Sequence, residues 1–466
     1  MTTATLPAAT ATTRPAAPWR ALPILLLGAF LPILDAFIVN VALPTIGRTL
    51  NAGPAALELT VSGYGVAYAC TLVAGGRLGD RFGRKRMLLI GMSAFTVASA
   101  ACGLAPTAGA LIAFRILQGL GAALLFPQVL ASIQAGFEGA DRQKALGLFG
   151  SMAGLAGAVG QILGGALLAW DVAGLSWRPL FLINVPVGIA AVVLGRRFVP
   201  ETRAPRAARV DLWGALLLAA TIALLLLPIT LGRTEEWPLW TWLSLAAVVP
   251  AAVTFFWTQG RQERRGGNPL LPPSLLSLRL ARRALLAILL FATLIGGFLF
   301  TVAVTLQMGH AFGPMAAGLA MGPCAITFLW ISLRVGRWVS RYGVRVLIAG
   351  ALIFGLGIVA FAAVVQYADH LSVVVAAIPL VVVGVGWAMV LSPAIGFVLS
   401  GLPADRAGLA GGVLSTAMQM GLALGASLLG SVLFATSSLV ALGCCLVLAV
   451  STAIAYARLS PRPAGS

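Results

Sequence analysis

Runs of about twenty mostly apolar residues follow one another along almost the whole chain, broken by short turns rich in Gly, Pro and Arg. A helix needs about 20 such residues to cross a bilayer. The runs predict fourteen spans, at 21–43, 58–78, 87–105, 108–132, 145–169, 179–198, 211–231, 240–258, 284–306, 316–335, 345–366, 372–398, 407–433 and 436–457. Residues 1–20 are rich in Thr, Ala and Pro and read as a disordered tail, with 458–466 as a second tail. The first run carries Asp35 and lacks a small-residue cleavage site, so it reads as a retained helix rather than a signal peptide.

Composition narrows the class. Of 466 residues, 60% are hydrophobic and 9% charged, against roughly 45–50% and 25% in soluble domains. A soluble fold and a disordered chain are both excluded, leaving an all-α integral membrane protein. The net charge of +18 would suggest nucleic acid on a soluble chain; here its placement decides. With an inside N-terminus, 27 of the 31 Lys and Arg residues fall in the tails and alternate turns, and three (Arg48, Arg178, Arg233) fall outside. The one left over, Arg115, lies deep inside the fourth span, away from either end. This positive-inside split puts both termini in the cytoplasm of a plasma-membrane protein, and it removes the nucleic-acid reading. Trp170, Trp177, Trp237, Trp240 and Trp242 sit near outer span ends, and Trp19, Trp213, Trp257 and Trp338 near inner ends, as in an interfacial belt. Trp330 and Trp387 fall within spans. The five cysteines form no CxxC pair and the two histidines, His310 and His370, lie in short connections, so no metal site is expected.

The longest inner connections, 199–210 and 259–283, bracket the seventh and eighth spans. The chain therefore divides into a six-span lobe (21–198), a linker with two extra spans (199–283) and a second six-span lobe (284–457). Each lobe has a basic turn after its second span. The first reads Gly76-Arg-Leu-Gly-Asp80-Arg-Phe-Gly83-Arg84-Lys85-Arg86 and the second Gly336-Arg337-Trp-Val-Ser340-Arg341-Tyr-Gly343-Val-Arg345. Such an internal repeat points to a two-lobed transporter.

Further motifs follow in order. Span 1 holds Leu34-Asp35-Ala-Phe37-Ile-Val-Asn40-Val-Ala-Leu-Pro44, and span 4 Arg115-Ile-Leu-Gln118-Gly119-Leu-Gly121. Span 5 holds Gly154-Leu-Ala-Gly157-Ala-Val-Gly160-Gln161-Ile-Leu-Gly164-Gly165, and span 6 opens Trp177-Arg178-Pro-Leu-Phe181-Leu-Ile-Asn184-Val-Pro186. On these motifs the chain, over roughly 21–457, resembles the major facilitator superfamily, specifically its fourteen-helix drug:proton antiporters. Two positions depart from that pattern: Gln161 stands where Pro is usual, and Ser340 where the second lobe's turn would carry Asp.

Asp35 and Arg115 are ionisable groups in apolar helices, each costing about 2.5–3.5 kcal/mol at a helix centre on insertion scales. One reading is a static ion pair between spans 1 and 4. The other is a proton switch, because burial favours a neutral carboxyl and a nearby guanidinium a charged one. Glu58 is a second acid at the outer start of span 2, where a solvated helix-end role serves as well.

In the 2–3 turn, Gly76 and Gly83 allow a tight reversal. Arg77, Lys85 and Arg86 read as positive-inside charge. The resemblance implies that Asp80 meets the head of span 13, near Asp405 to Gly408, as a latch on the outward-facing state. Arg84 then orients Asp80, or pairs with Glu138 or Asp141. The glycines of span 5 (Gly154, Gly157, Gly160, Gly164) share a helical face that admits close approach. A generic packing stripe would look the same; the resemblance places this motif, with Gln161, at the lobe interface of exporters. Span 13 carries a similar stripe, with Gly408, Gly411, Gly421 and Gly425. The resemblance also implies a central cavity lined by spans 1, 4, 9 and 12, with Phe37, Asn40, Gln118, Phe298, Gln307 and Trp387, joined by Trp330, as substrate-contact candidates.

The reading is a proton-driven exporter of small lipophilic or amphipathic compounds, expected as a monomer in the bilayer and without cofactor. The alternatives are a dedicated exporter of one metabolite, peptide or lipid, and a proton-coupled importer. A membrane enzyme would need a nucleophile, acid pair or metal cluster that the sequence does not show. A nucleotide-driven pump would need a phosphate-binding GxxxxGK[ST] motif, and none is present.

Overall fold

In a bilayer every backbone N–H and C=O has to be satisfied within the protein, and an apolar chain does this by forming helices. The computed structural model describes residues 18–203, 211–232, 235–267, 269–271, 273–274, 279–368, 371–400 and 407–459. Fourteen helices long and apolar enough to cross a membrane are present among them.

In chain order they are α1 (Leu22–Leu50), α2 (Pro54–Phe82), α3 (Arg84–Gly103), α4 (Ala108–Gly136), α5 (Gly139–Trp170) and α6 (Pro179–Phe198). Next come α7 (Leu212–Leu231) and α8 (Leu239–Arg264). The last six are α9 (Arg279–Val304), α10 (Pro314–Tyr342), α11 (Arg345–Tyr367), α12 (Val373–Ser400), α13 (Ala407–Ala435) and α14 (Ser438–Ala457). Local chemistry sets several ends. Pro54 and Pro314 open α2 and α10 at positions where the missing N–H is not needed. Thr107, Asp211 and Ser437 each cap a following helix through a side-chain oxygen.

Helices α1, α2, α4 and α10 each run 29 residues, or about 44 Å at 1.5 Å per residue, against a hydrocarbon core of about 30 Å. They overshoot the apolar runs because a helix need not stop where hydrophobicity does. The ends of α2 and α10 that project on the basic side carry the arginines of the two repeated turns.

The two lobes use the same helix pairings. In the first, α1 packs on α5, α2 and α3 on α4, and α3 on α6. In the second, α9 packs on α13, α10 and α11 on α12, and α11 on α14. The lobes meet where α5 packs on α10 and α2 on α13. The two extra helices are central in sequence and peripheral in space. α7 lies against both α2 and α13, and α8 packs on α7. Thr230 and Ser427 share a hydroxyl contact of 3.1 Å between α7 and α13. Near the basic end of α2, Arg77 donates from Nη2 to the Pro269 carbonyl (2.6 Å), fastening the connection that leads from α8 to α9.

One belt residue is a correction. Trp177 is fully buried rather than interfacial. Its Nε1 donates to Thr49 Oγ1 (2.8 Å) and its ring meets Phe181 edge-on. Proximity to a helix end places a tryptophan at the membrane surface only if no neighbouring element covers it, and here the chain entering α6 folds under α1.

Candidate functional site

The first lobe encloses a polar cluster in an otherwise apolar interior. Asp35 sits mid-helix on α1 and Arg115 on α4, and both are completely shielded from solvent. Arg115 donates from Nη1 to Asp35 Oδ2 in a short ion pair and also to Gln118 Oε1 (2.8 Å). Its Nε reaches the Thr60 carbonyl on α2 (3.0 Å). Gln118 and Asn184 each donate to Asp35 Oδ1 at 2.8 Å. Asn184 also donates to Ser99 Oγ on α3 (3.0 Å), and Ser99 donates to the Phe181 carbonyl at the start of α6 (2.9 Å). The Tyr64 ring lies 4.3 Å from the guanidinium carbon of Arg115. Five helices thus converge on one carboxylate. Among the described residues, Arg115 Nη2 and Asn184 Oδ1 have no hydrogen-bond partner.

This geometry corrects the assignment of Gln118. It is a fully buried member of the ion-pair cluster, not a residue of the cavity wall. Gln118 lies three residues after Arg115, within one turn and on the same face of α4. Asn184, Ser99 and Tyr64 belong to the cluster as well. The available signal for Asn184 was a polar amide within the apolar run of span 6.

The 2–3 turn forms a second, half-buried polar group. Asp80 Oδ1 pairs with Arg84 Nη2 at 3.1 Å, and Arg84 Nη1 donates to the Ala131 carbonyl near the end of α4 (3.1 Å). Of the roles open to Arg84, the geometry shows it paired with Asp80 and tied to α4. Gly83 joins the two helices with φ +105°, a conformation side chains disfavour. Glu201 completes the turn. Its carboxylate accepts from the backbone N–H groups of Lys85 (3.1 Å) and Arg86 (3.3 Å), covering the free donors and positive dipole end of α3. Sequence reasoning left Glu201 in a linker because nothing local reveals that the chain beyond α6 returns to the head of α3. A side chain added at Gly76 would meet Pro127 of α4 only at ordinary contact distance. Asp405 lies outside the described residues.

The glycine stripe of α5 turns inward. Positions Gly157, Gly160 and Gly164 face Phe37, Leu34 and Ile38 of α1, and a side chain at Gly160 would stand 3.0 Å from the Leu34 carbonyl. These three glycines therefore close α5 onto α1 within the first lobe, while the helix as a whole also packs on α10 across the lobe boundary. α5 itself reaches the other lobe elsewhere, with Ile162 beside Gly322 of α10. The matching face of α13 does the same, with Gly421 and Gly425 against α9. Backbone is described at Gly154 and Gln161, which lie within the continuous helix α5.

The remaining cavity candidates scatter. Phe37 is half-buried against Gly157, and Asn40, also half-buried, donates to the Ala36 carbonyl one turn back (3.4 Å). Gln307 is half-buried in a π-helical turn, Thr305–Gly309, that ends α9. Phe298 is a correction: it is buried inside the second lobe, stacked edge-on with Phe354 (5.3 Å) and Phe361 (6.3 Å) of α11. Trp330 is another, lying 55% exposed on the face of α10 opposite its packed side. Trp387 is buried against Phe328 (5.2 Å), with its Nε1 unpartnered among the described residues. An apolar cleft between α9, α12 and α13 is lined by Phe291, Ile295, Leu391, Met418 and Leu422, among others. Sequence reasoning did not name it, because a lining made only of hydrocarbon and thioether groups looks like core.

Comparison with known proteins bears on this arrangement. A family model described as Major Facilitator Superfamily matches residues 25–426. The chain is 33% identical over 418 residues to a probable actinorhodin transporter of Streptomyces coelicolor, covering 89% of this chain and 72% of that protein. It is 33% identical over 423 residues to the tetracenomycin C resistance and export protein of Streptomyces glaucescens, covering 89% and 75%. Among solved structures, the proton:xylose symporter XylE superposes with a TM-score of 0.68 at 16% identity, over 96% of each chain.

Proposed function

The chain belongs to the Major Facilitator Superfamily and is a multi-pass membrane transporter rather than an enzyme, and on that premise we propose that it exports small lipophilic or amphipathic compounds in exchange for protons. The observation that carries the coupling is the sealed Asp35–Arg115 pair with its Gln118 and Asn184 donors.

Neutralising Asp35 in this arrangement leaves Arg115 buried without a counter-charge, and losing one partner of a buried pair costs about 3–5 kcal/mol. Proton uptake therefore requires α1 to shift against α4, so protonation state and lobe conformation change together. The membrane potential adds about 2.3 kcal/mol per charge per 100 mV. α5 packs on both α1 and α10, so displacement of α1 passes to the lobe boundary through the close glycine contact. Asp80 and Arg84, at the basic end of α2, would serve as the latch between lobes, because α2 packs on α13 across that boundary. Basic turns mark the cytoplasmic side, and fourteen spans return both termini to it.

Lipophilic cargo matches the apolar lining of the cleft between α9, α12 and α13, which has to widen to admit a molecule of that size, with the half-buried Phe37 and Asn40 of α1 as further contact candidates. Both Streptomyces relatives carry names that specify a single compound, which favours a second reading as a dedicated exporter of one natural metabolite, peptide or lipid. Inverted vesicles containing the protein test both. Under a proton gradient they should accumulate a lipophilic dye, and a protonophore should abolish accumulation. Protonophore-insensitive uptake contradicts proton drive. Uptake of one compound alone from a chemically diverse panel selects the dedicated exporter.

A further inference from the structure

The basic end of α10 differs from its counterpart on α2 in having no acid. On α2, Asp80 holds Arg84. On α10 the matching position is Ser340, whose hydroxyl turns back to donate to the Arg337 carbonyl (2.8 Å). Among the described residues no carboxylate lies within ion-pair distance of Arg334, Arg337 or Arg341. These three arginines share one outward face. At 100° per residue they fall, with Ile326, Trp330 and Leu333, within about a third of the helix circumference. Ile326 is 71% exposed and Leu333 56%. Trp330 lies at the junction of the apolar and basic parts of this face. The Arg334 guanidinium carbon stands 3.8 Å from its ring centroid, while Arg334 Nη1 donates to the Trp330 carbonyl (3.1 Å). This explains a tryptophan that looked misplaced within its span.

We propose that the basic end of α10 is a binding site for an anionic phospholipid. Arg334, Arg337 and Arg341 hold the headgroup phosphate, and an acyl chain lies along Trp330, Leu333 and Ile326. Charge complementarity selects an anionic ligand, and the unbroken continuation of the basic face into an exposed hydrocarbon-matching stripe selects a lipid over a free phosphate. Ser340 in place of an acid is part of the site, because a carboxylate there would occupy the arginines. Each basic residue near an anionic membrane surface strengthens its attraction to that surface roughly five-fold. The inference does not depend on what the protein transports.

Tryptophan quenching in reconstituted full-length protein tests it. The chain has 11 tryptophans, so the signal of Trp330 is taken as the difference between wild type and Trp330→Phe. Phosphatidylcholine vesicles carry a minor fraction of brominated phosphatidylglycerol or, separately, of brominated phosphatidylcholine. The Trp330 signal should be quenched several-fold more by the anionic lipid. Combined Arg334→Gln, Arg337→Gln and Arg341→Gln should remove that excess, whereas the triple Lys variant, which keeps the charge, should retain most of it. Glycerol phosphate should not compete. Equal quenching of wild type by the two lipids overturns the proposal, as does undiminished preference in a monodisperse triple Gln variant. Competition by glycerol phosphate assigns the arginines to a free anion and overturns the lipid site. If the Gln variant does not fold, the wild-type lipid comparison and the Lys variant still decide.

Discussion

The two lobes solve one packing problem with different interiors. Their helix pairings match, α1 on α5 and α9 on α13, α3 on α4 and α11 on α12. Yet the first lobe buries Asp35, Arg115, Gln118 and Asn184 at its centre, and the second fills its interior with Phe291, Phe298, Phe354 and Phe361. The repeated basic turns diverge in the same sense, with Asp80 in the first and Ser340 in the second. Across 284–457 the only acids in the sequence are Asp369 and Asp405. Since the aromatic lobe adopts the same pairings with an interior that is uncharged among the described residues, the fold does not require the ion pair. A charge that folding does not need, held in a helix at about 2.5–3.5 kcal/mol, is the basis for the role proposed for Asp35 and Arg115 in the working cycle. On that proposal the second lobe is the partner against which the first one moves.

Substitutions in either lobe test this contrast, in order of decreasing effect. The largest concerns Arg115. Arg115→Gln leaves Asp35 buried without its counter-ion, which costs about 3–5 kcal/mol; thermal unfolding of the first lobe should fall markedly, and Asp35→Asn added to it should recover much of the loss. An unrecovered double variant would mean that the two side chains do not act as a pair.

Phe298→Ala tests the other interior. Removing a buried ring costs about 3–5 kcal/mol, so stability should fall comparably while the ratio of protons to substrate moved stays at the wild-type value. A changed ratio would place coupling in both lobes. Asn184→Leu is smaller. It takes one donor from Asp35 Oδ1 and one from Ser99, for about 1–3 kcal/mol, and should shift the pH dependence of transport along with stability. A loss of stability with an unshifted pH profile would reduce Asn184 to packing. Smallest is Glu201→Gln, which weakens the cap on α3 and should cost about 0.5–2 kcal/mol. Its expected signature is slower turnover at unchanged apparent substrate affinity, and an equal change in both would remove Glu201 from the positioning of Asp80 and Arg84.

The helices were legible because apolar runs of membrane length admit one local structure, and their ends shifted mainly where helices project past the bilayer. Asp35 and Arg115 were legible for the converse reason, as charges in runs that exclude charge. What escaped was whatever depends on a neighbour distant in sequence. Glu201 caps a helix more than a hundred residues before it. Gln118 looks like a cavity residue until Asp35 is seen across from it. Phe298 and Trp330 follow the same aromatic pattern, and only packing separates one as core from the other as outward-facing. The glycines of α5 announce close approach without naming the partner, which is α1.

The central claim is that Asp35 couples protons to movement and does more than staple α1 to α4. Purified Asp35→Asn in liposomes separates the two roles. Counterflow of a labelled lipophilic dye against unlabelled dye, with no proton gradient, reports substrate movement alone; accumulation under an imposed gradient reports coupling. The account predicts that Asp35→Asn retains counterflow and loses gradient-driven accumulation. Accumulation at the wild-type level in Asp35→Asn would contradict it.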